Sequence, residues 1–289
     1  MWNKAILVLG PLLITGCGLT QVQKDSIGQF SRASASFSES VSIQLTDARS
    51  TVLELNTSVL SLRAKQDNSL DKVDGSFSPE RISARIRAAE TLQSYAQLLL
   101  ALVEDTQQKE IQNAATKFKE SIRGLDQDGK RISNEQLTIL GELVQDIGGL
   151  IVEHKKKTAL EKILPAAHEQ VKAITELFAS EFNIDGAVAK NVNAMGLLTV
   201  STADRILDDK SSNVQDRVIA ATANSKGLET KRKTDAIYPS IAVAARQLEA
   251  SHQEISKAVG SDKLTFDQLN SLTKTVADVV SKTQLMLKK

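Results

Sequence analysis

The sequence predicts an all-α fold, an elongated antiparallel helical bundle with coiled-coil-like packing. Only four of its 289 residues are proline, and Ala, Leu, Lys, Glu, Gln and Ser are abundant, so helix propensity is rarely interrupted. Apolar residues recur at steps of three and four over long stretches, and no alternating strand pattern bounded by hairpin signals occurs. Aromatic residues make up only 3% of the chain and its one tryptophan is Trp2, so an aliphatic core is expected.

The first helix is predicted from about Lys24 to Gln66. Its apolar or small residues follow one another at steps of three and four, which is the spacing of a coiled-coil seam. The consecutive four-residue steps from Phe37 to Leu45 are expected to relax the left-handed supercoil locally. The seam consists of Ile27, Phe30, Ser34, Phe37, Val41, Leu45, Ala48, Val52, Leu55, Val59 and Leu62.

The second and third helices are predicted from helix-start signals and from the same periodicity. The second begins after the N-cap Ser78 and ends near Arg123. The third runs from Ser133 to about Phe178. Pro165 should kink or split this helix, because proline removes one backbone hydrogen bond and crowds the preceding turn.

A fourth helix is predicted from about Asp185 to Lys233 by the apolar residues that recur along it. Its weakest point is at residues 208–212, a run of two aspartates, a lysine and two serines. Short polar side chains of this kind compete with the helical backbone for its hydrogen bonds, which explains the weakness.

The last leg begins near Pro239, breaks at Gly260 and resumes from Thr265 to about Leu287. At 1.5 Å per residue, legs of about forty to fifty residues are each roughly 65 to 75 Å long. Short connections between legs of similar length predict antiparallel neighbours, in one up-and-down bundle or in two bundles stacked end to end. Since no linker rich in proline, glycine or serine divides them, residues 24–289 are expected to form a single domain.

The N-terminal residues have the features of a secretory signal peptide. Lys4 gives a positive start, residues 5–13 form a short apolar core, and the small residue Gly16 precedes a predicted cut before Cys17. An apolar run of about nine residues is far shorter than the roughly twenty that span a bilayer as a helix. Residues 1–16 are therefore expected to be removed, which makes Cys17 the first residue of the mature chain.

Residues 14–17, Ile-Thr-Gly-Cys, resemble the lipobox of bacterial lipoproteins. The resemblance implies that the Cys17 thiol takes a diacylglyceryl group, that a dedicated peptidase cleaves before it, and that the freed amine is acylated. By analogy with lipoproteins of diderm bacteria, Gly18 in place of aspartate implies sorting to the outer membrane. Residues 17–23 would form a short lipidated tether, and three acyl chains make detachment negligible. The alternative is ordinary signal peptidase, which would leave Cys17 as a free thiol.

The charge balance argues against a nucleic-acid partner. Removal of residues 1–16 takes away Lys4 and no acidic residue, which leaves 35 basic and 35 acidic side chains. The basic clusters at residues 155–157, 231–233 and 288–289 are short and are balanced by neighbouring acids. Solvated helix faces explain such clusters better than nucleic-acid binding does.

Three predicted helix starts share one pattern: an apolar residue, a hydroxyl residue, and a second apolar residue four positions further on. This pattern is the hydrophobic staple, with Ser78, Ser133 and Thr265 as N-caps that accept hydrogen bonds from backbone N–H groups. Glutamines three residues after Ser133 and Thr265 complete two capping boxes. We therefore expect three capped helical turns.

The second of these helix starts also matches part of an EF-hand loop. Asp126, Asp128 and Glu135 fall at three positions of calcium ligands, and Gly129 falls at the position of the invariant glycine. However, Gly124 occupies the first position, which is normally a carboxylate. The sequence favours a capped turn and leaves calcium binding open.

No catalytic, cofactor-binding or metal-binding residue is predicted. The segment that begins at His168 resembles the zinc metalloprotease signature until Lys172 replaces the second histidine. His154 lies roughly 21 Å from His168 along an unbroken helix, and His252 is isolated in sequence, so we interpret all three histidines as surface or interfacial residues. No nucleophile elbow, phosphate loop or dinucleotide fingerprint is present, and a lipidated Cys17 cannot act as a nucleophile.

The sequence thus predicts a noncatalytic lipoprotein of the bacterial cell envelope that binds a protein partner or serves as a scaffold. Its expected location is the outer membrane, facing the periplasm, with acylated Cys17 in the lipid. One alternative is attachment to peptidoglycan through the C-terminal Lys289, where the chain is similar to the major murein lipoprotein of enteric bacteria. The other is an enzyme whose site is assembled from distant residues, with His154, His168 or His252 beside carboxylates in a cleft.

Overall fold

The structure is a computed structural model that describes residues 18–63, 77–104, 106–126, 153–260 and 267–287. All regular structure in these ranges is helical, which confirms the predicted all-α bundle. The helices within them are α1 (Gln21–Leu62), α2 (Pro79–Val103), α3 (Gln108–Asp126), α4 (Glu153–Ala166), α5 (His168–Glu181), α6 (Ala187–Asp208), α7 (Val214–Val259) and α8 (Asp267–Leu287).

Helix α1 begins three residues earlier than predicted because Thr20 caps it. The Thr20 hydroxyl accepts a hydrogen bond from the Gln23 N–H at 3.2 Å, and the Gln23 side chain accepts one from the Thr20 N–H at 2.9 Å. A cap of this kind contributes about 1 kcal/mol to stability. The predicted seam is confirmed, since its members from Ile27 to Val59 are all buried and Leu62 is half-buried.

Of the three predicted N-caps, Ser78 is described and is confirmed. Its hydroxyl accepts a hydrogen bond from a backbone N–H of the first turn of α2 at 3.5 Å. Phe77 and Ile82, which form the predicted hydrophobic staple around it, are both buried. Ser133 and Thr265 lie outside the described residues.

The predicted second helix is divided into α2 and α3, so its single span is wrong. Helix α2 ends at Val103, where the Thr106 hydroxyl donates a hydrogen bond to a carbonyl of the last turn. Helix α3 then folds back along α2, and the centroids of the Tyr95 and Phe118 rings lie 5.2 Å apart. The apolar pattern of the predicted second helix explains the break, because no apolar residue occurs between Val103 and Ile111.

The third predicted helix is split near its proline, as expected. Helix α4 ends one residue after Pro165, and α5 begins at His168. Proline lacks the N–H that would bond to the carbonyl four residues back, so the helical ladder loses a bond there. Ala167 still donates to Ile163 and accepts from Val171 at 2.9 Å each, so the two helices follow one another directly. The part of the prediction that precedes α4 lies outside the described residues.

The predicted fourth helix over residues 185–233 is wrong, because the chain reverses at its weakest point. Helices α6 and α7 lie on either side of residues 209–213. In this turn the Asp209 carboxylate accepts hydrogen bonds from the Ser211 N–H and hydroxyl at 2.9 and 2.7 Å, and Asn213 caps α7. Side chains that bond to their own backbone therefore make a helix hairpin where one continuous helix was expected.

Helix α7 runs through Pro239, which was expected to begin a separate helix. Pro239 and Asp235 are both exposed, so water can bond to the Asp235 carbonyl that lacks its usual helical donor. The helix ends at Val259 with Gly260 as its C-cap, which is the predicted break. Its 46 residues span about 69 Å, which is close to the predicted length of a leg.

The long helices α1 and α7 are antiparallel. The Gln23 side chain donates a hydrogen bond to the Ala258 carbonyl at 2.8 Å, and at the other end Lys226 lies 3.4 Å from Glu54. Helices α2 and α8 pack along α1 from Gln29 and Arg32 as far as Gln44 and Arg49, on the side of the molecule that contains Gln23. We call this half of the molecule the base, and we call α6 together with the part of α7 up to Lys233 the hairpin.

One contiguous apolar core joins all eight described helices. The expected aliphatic core is wrong in one respect, because aromatic rings are among its largest fully buried side chains. All described phenylalanines and tyrosines are buried, so the few aromatic residues are concentrated where helices meet. They are Phe30, Phe37, Phe77, Tyr95, Phe118, Phe178, Phe182 and Tyr238.

Candidate functional site

The predicted lipidation site, Cys17, lies outside the described residues, which begin at Gly18. In the sequence only Gly18 separates Cys17 from Leu19, whose side chain is buried in the core of the base. One turn further on, Gln23 bonds to the Ala258 carbonyl at the end of α7. The chain that follows Cys17 is thus fixed to the base within two residues.

The partial EF-hand match at Asp126, Asp128 and Glu135 lies almost entirely outside the described residues, so calcium binding there stays a prediction. In the ranges that the structure does describe, no three histidine, cysteine, aspartate or glutamate side chains come together as metal ligands. The C-terminal Lys289, proposed as a link to peptidoglycan, also lies outside these ranges.

His168 and His252 meet inside the base, although 84 positions separate them. Their Nδ1 atoms are 3.5 Å apart, the outer limit of a hydrogen bond, while the ring centroids are 5.7 Å apart with nearly parallel planes at 11°. The rings therefore meet edge to edge. His168 is half-buried, as an interfacial residue should be, but His252 is fully buried, which the sequence did not predict.

The second nitrogen of His252 bonds to a tyrosine. Its Nε2 atom lies 2.7 Å from the Tyr95 hydroxyl. When the phenol donates to Nε2, the tautomer places the proton of His252 on Nδ1, which then donates to His168. The chain from Tyr95 through His252 to His168 thereby satisfies both nitrogens of a ring that is shielded from water.

Burial keeps His252 and Tyr95 uncharged. It lowers the pKa of His252 to about 3, with a smaller contribution from the neighbouring His168, and it raises the pKa of Tyr95 well above its usual value. The centroid of the Phe30 ring lies 5.9 Å from that of His252, and Phe118 packs against Tyr95. We call these five residues the aromatic cluster. The buried, neutral Tyr95 and His252 suit a structural link at the meeting point of five helices better than proton transfer to a substrate.

His252 occupies a position that its sequence context could have revealed. The buried residues of α7 follow steps of four and three, and this histidine falls on one of those steps. A polar side chain at such a position needs a hydrogen-bond partner inside the core. The partner, Tyr95, is 157 positions away on α2, so the pairing itself was not visible in the sequence.

Three of the grooves on the described surface lie away from these histidines. One of about 500 Å³ lies between α1 and α8, beside Ala33 and Val276. Another of about 240 Å³ lies between α1 and α7 and contains Glu54 and Lys226. The third, of about 360 Å³, lies on the outer side of α7 around Leu228.

The hairpin is packed through small residues instead of rings. A Cβ atom added at Gly227 would lie 2.7 Å from the Gly196 carbonyl oxygen, so the two helices approach too closely for any side chain there. Nearer the turn, Ala203 of α6 packs with Ala220 and Ala223 of α7 in a small separate cluster. Small residues therefore allow the backbones of α6 and α7 to approach closely at these positions.

Larger apolar side chains of the hairpin point outward. Val214, Val218 and Leu228 are 80%, 61% and 41% exposed. Together with the exposed Ala221 and Ser225, they recur at alternating steps of four and three along the side of α7 away from its buried alanines. We call these five residues the outer stripe.

None of the described helices combines the length and the apolar character needed to cross a membrane. Comparison with known proteins gave no match to a family model, to a curated protein or to a solved structure. The functional interpretation therefore rests on the sequence motifs and on the geometry of this chain.

Proposed function

We propose that this chain is a noncatalytic lipoprotein of the bacterial envelope that extends a helical rod from the outer membrane into the periplasm. Acylated Cys17 anchors it, and the rod binds a protein partner or serves as a scaffold. The observation that carries the proposal is the lipobox-like sequence of residues 14–17, which is followed almost directly by Leu19, a residue buried in the fold.

The short distance between Cys17 and the fold supports an anchor at the base. Two residues of extended chain reach at most about 7 Å, so acyl chains on Cys17 would hold the base close to the lipid surface. Helix α1 then carries the hairpin up to about 60 Å away from it. The two ends of the rod consequently have different surroundings, with lipid at one and the periplasm at the other.

The environment of the histidines supports a noncatalytic role. In the described part of the chain, His252 bonds to Tyr95 and lies against His168 rather than beside a carboxylate in a cleft. An imidazole whose pKa is lowered to about 3 is a poor general base, because it scarcely binds a proton at neutral pH.

The anchor is tested by Cys17→Ser in a diderm host. This substitution removes the acylated thiol, so the protein should leave the membrane fraction while its circular dichroism spectrum keeps the same helical signal. Thr15→Ser is the matched control, because it keeps a small hydroxyl residue in the lipobox and should stay bound. Firm association of Cys17→Ser with membranes after salt and carbonate washes would sink the proposal.

The location is tested by Gly18→Asp. Aspartate after the acylated cysteine should retain the protein in the inner membrane, which density-gradient separation of the two membranes detects. Gly18→Ser, the control, should remain in the outer membrane. If the unmodified chain already fractionates with the inner membrane, the anchor stands but the outer-membrane assignment is wrong.

A further inference from the structure

The two histidines of the aromatic cluster point their Nδ1 atoms at each other. The 5.7 Å between the ring centroids is nearly the 3.5 Å between the Nδ1 atoms plus the radii of both rings, so the two nitrogens lie close to the line that joins the ring centres. The ring planes differ by only 11°, so the rings are also nearly coplanar. In this arrangement the Nδ1 atoms of His168 and His252 each direct a lone pair or a proton straight at the other ring.

The distance between these nitrogens is long for a hydrogen bond. An N–H donor and its acceptor are usually about 2.7–3.2 Å apart, whereas the Nδ1 atoms are 3.5 Å apart. Two nitrogens that bind one first-row metal ion from opposite sides are about 4 Å apart, because each bond is about 2.0 Å long. The pair therefore needs to open by only about 0.5 Å to admit an ion. His168 is half-buried and begins α5 at its junction with α4, where a small shift of the ring is possible.

The second nitrogen of His252 has the partner that a metal-binding histidine requires. Histidine ligands almost always donate the N–H of their other nitrogen to a neighbouring acceptor, which fixes the ring and its tautomer. The Nε2 atom of His252 lies 2.7 Å from the Tyr95 hydroxyl oxygen, so it can donate to that oxygen when Nδ1 binds an ion. Burial lowers the pKa of His252 to about 3, which keeps the ring in the neutral form that binds metals.

The surroundings favour an ion of single charge. Among the residues that the structure describes, no acidic side chain joins the two histidines to make a group of three metal ligands. A divalent ion would therefore bring two uncompensated charges into a buried site, beside the positive N-terminal end of α5. A monovalent ion brings only one. Cu(I) and Ag(I) accept two nitrogen ligands in a line, and imidazole is a common ligand of copper.

From the facing Nδ1 atoms and the bonded Nε2 atom, we propose that His168 and His252 bind one soft monovalent ion, Cu(I) or Ag(I), between them. Tyr95 is a positioning residue that orients the ring of His252. The ion joins α5 to α7 inside the base. This site goes beyond the proposed function and does not depend on the lipid anchor, since it uses only side chains of the base.

Titration of the full chain carrying Cys17→Ser tests the site, because this variant has no thiol that could bind the ion instead. Calorimetric titration with Ag(I), and competition for Cu(I) against the chromophoric chelator bicinchoninate, should each give one bound ion per chain. Zn(II), which prefers four ligands, should bind at least about tenfold more weakly. Absence of stoichiometric Ag(I) and Cu(I) binding, or tighter binding of Zn(II), would overturn the proposal.

Variants assign the ligands. His168→Gln should weaken Ag(I) binding at least about tenfold, while His154→Gln, the matched control at the histidine outside the pair, should leave it unchanged. Tyr95→Phe keeps the ring but removes the hydroxyl, so Ag(I) should bind about tenfold more weakly with the same stoichiometry. If His168→Gln binds Ag(I) as tightly as the parent chain does, the ion does not lie between these rings.

Two measurements on the parent chain stand even if a variant fails to fold. X-ray absorption of the Cu(I)-loaded chain should show two imidazole nitrogens as the only ligands, and a sulfur ligand or a third nitrogen would contradict the site. The melting temperature should rise when Ag(I) is added, because the ion binds the folded state. An unchanged melting temperature would also count against it. None of these outcomes affects the membrane anchor, because fractionation of Cys17→Ser tests that separately.

Discussion

The base and the hairpin use the same helical periodicity in opposite ways. In the base, the seam positions of α1 carry large side chains such as Phe30 and Phe37, and these are fully buried between several helices. In the hairpin, most buried positions carry glycine, alanine or threonine, with Val188 and Val192 as the larger exceptions, while Val214 and Val218 lie outside. The number of neighbouring helices accounts for part of this difference, because fewer helices meet in the hairpin than in the base and less volume has to be filled between them. It does not account for large apolar residues that stay exposed.

This contrast separates the two roles that a helical seam can have. Residues that hold the fold together are large where many helices meet, and their loss leaves a cavity. Residues of the outer stripe are exposed and should contribute little to the stability of the fold. If this account is right, substitutions of similar chemistry will have very different effects in the two regions.

The largest effect is expected from a cavity in the base. Phe37→Ala removes a fully buried ring whose centroid lies 6.2 Å from that of the Phe178 ring. It should lower the free energy of unfolding by about 3–5 kcal/mol. Leu228→Ala, in the outer stripe of the hairpin, should change it by no more than about 0.5 kcal/mol. Urea titrations of the two variants give both values. Similar losses would contradict the distinction between the regions.

The next effect concerns close packing inside the hairpin. In Gly227→Ala the new methyl group meets the Gly196 carbonyl oxygen, which is backbone and cannot turn aside, so we expect a loss of about 1–3 kcal/mol. In the base, the same change at Gly28 meets only the flexible end of Arg32 at 3.3 Å, so Gly28→Ala should be neutral or stabilising by up to about 1 kcal/mol. Hydrogen exchange should show the loss confined to α6 and the first half of α7.

The aromatic cluster should make the stability of the base depend on pH. His252 has a pKa of about 3 in the fold and about 6.5 when unfolded, so the unfolded chain binds the additional proton below pH 6.5. Stability from this group is complete above pH 6.5 and falls toward pH 3 by at most about 1.4 kcal/mol per pH unit. Unfolding of the parent chain and of His252→Gln at several pH values measures the difference. If the free energy of unfolding changes with pH equally in the parent chain and in His252→Gln, then His252 is not buried as a neutral group.

The smallest effect is expected at the start of α1. Thr20→Ala removes the hydroxyl of the capping box and should cost about 1 kcal/mol. Thr46→Ala, at an exposed position within the same helix, should be neutral or slightly stabilising because alanine favours a helix. A melting temperature that falls for Thr46→Ala but not for Thr20→Ala would contradict the cap.

The sequence predicted the seam of α1 from its periodicity and the split near Pro165 from the missing N–H of proline, because both depend on neighbours within a few residues. It missed the break between α2 and α3 and the reversal at residues 209–213. In both places a short polar run can remain helical or turn, and contacts with distant helices decide between them. Pro239 shows the converse, since a residue that often begins a helix is tolerated inside α7 where it faces water.

The candidate sites differ in the same way. The lipobox at residues 14–17 is a contiguous motif, so the sequence alone suffices to predict acylation of Cys17. The hydrogen bond between Tyr95 and His252 joins residues 157 positions apart, so it required the fold. The outer stripe is an intermediate case. The spacing of its residues can be seen in the sequence, but their exposure depends on which side of α7 packs against α6 and α1.

The most direct test of the whole account measures which end of the rod lies near the lipid. Cys17 is the only cysteine of the chain, and its proposed acylation would leave no free thiol, so Val22→Cys in the base and Val218→Cys in the hairpin could each be labelled selectively with a fluorophore. In vesicles that contain nitroxide-labelled lipid headgroups, the base label should be strongly quenched and the hairpin label, about 60 Å away, should not. Equal quenching at the two positions, or stronger quenching of the hairpin label, would contradict a base at the membrane and a hairpin that projects from it.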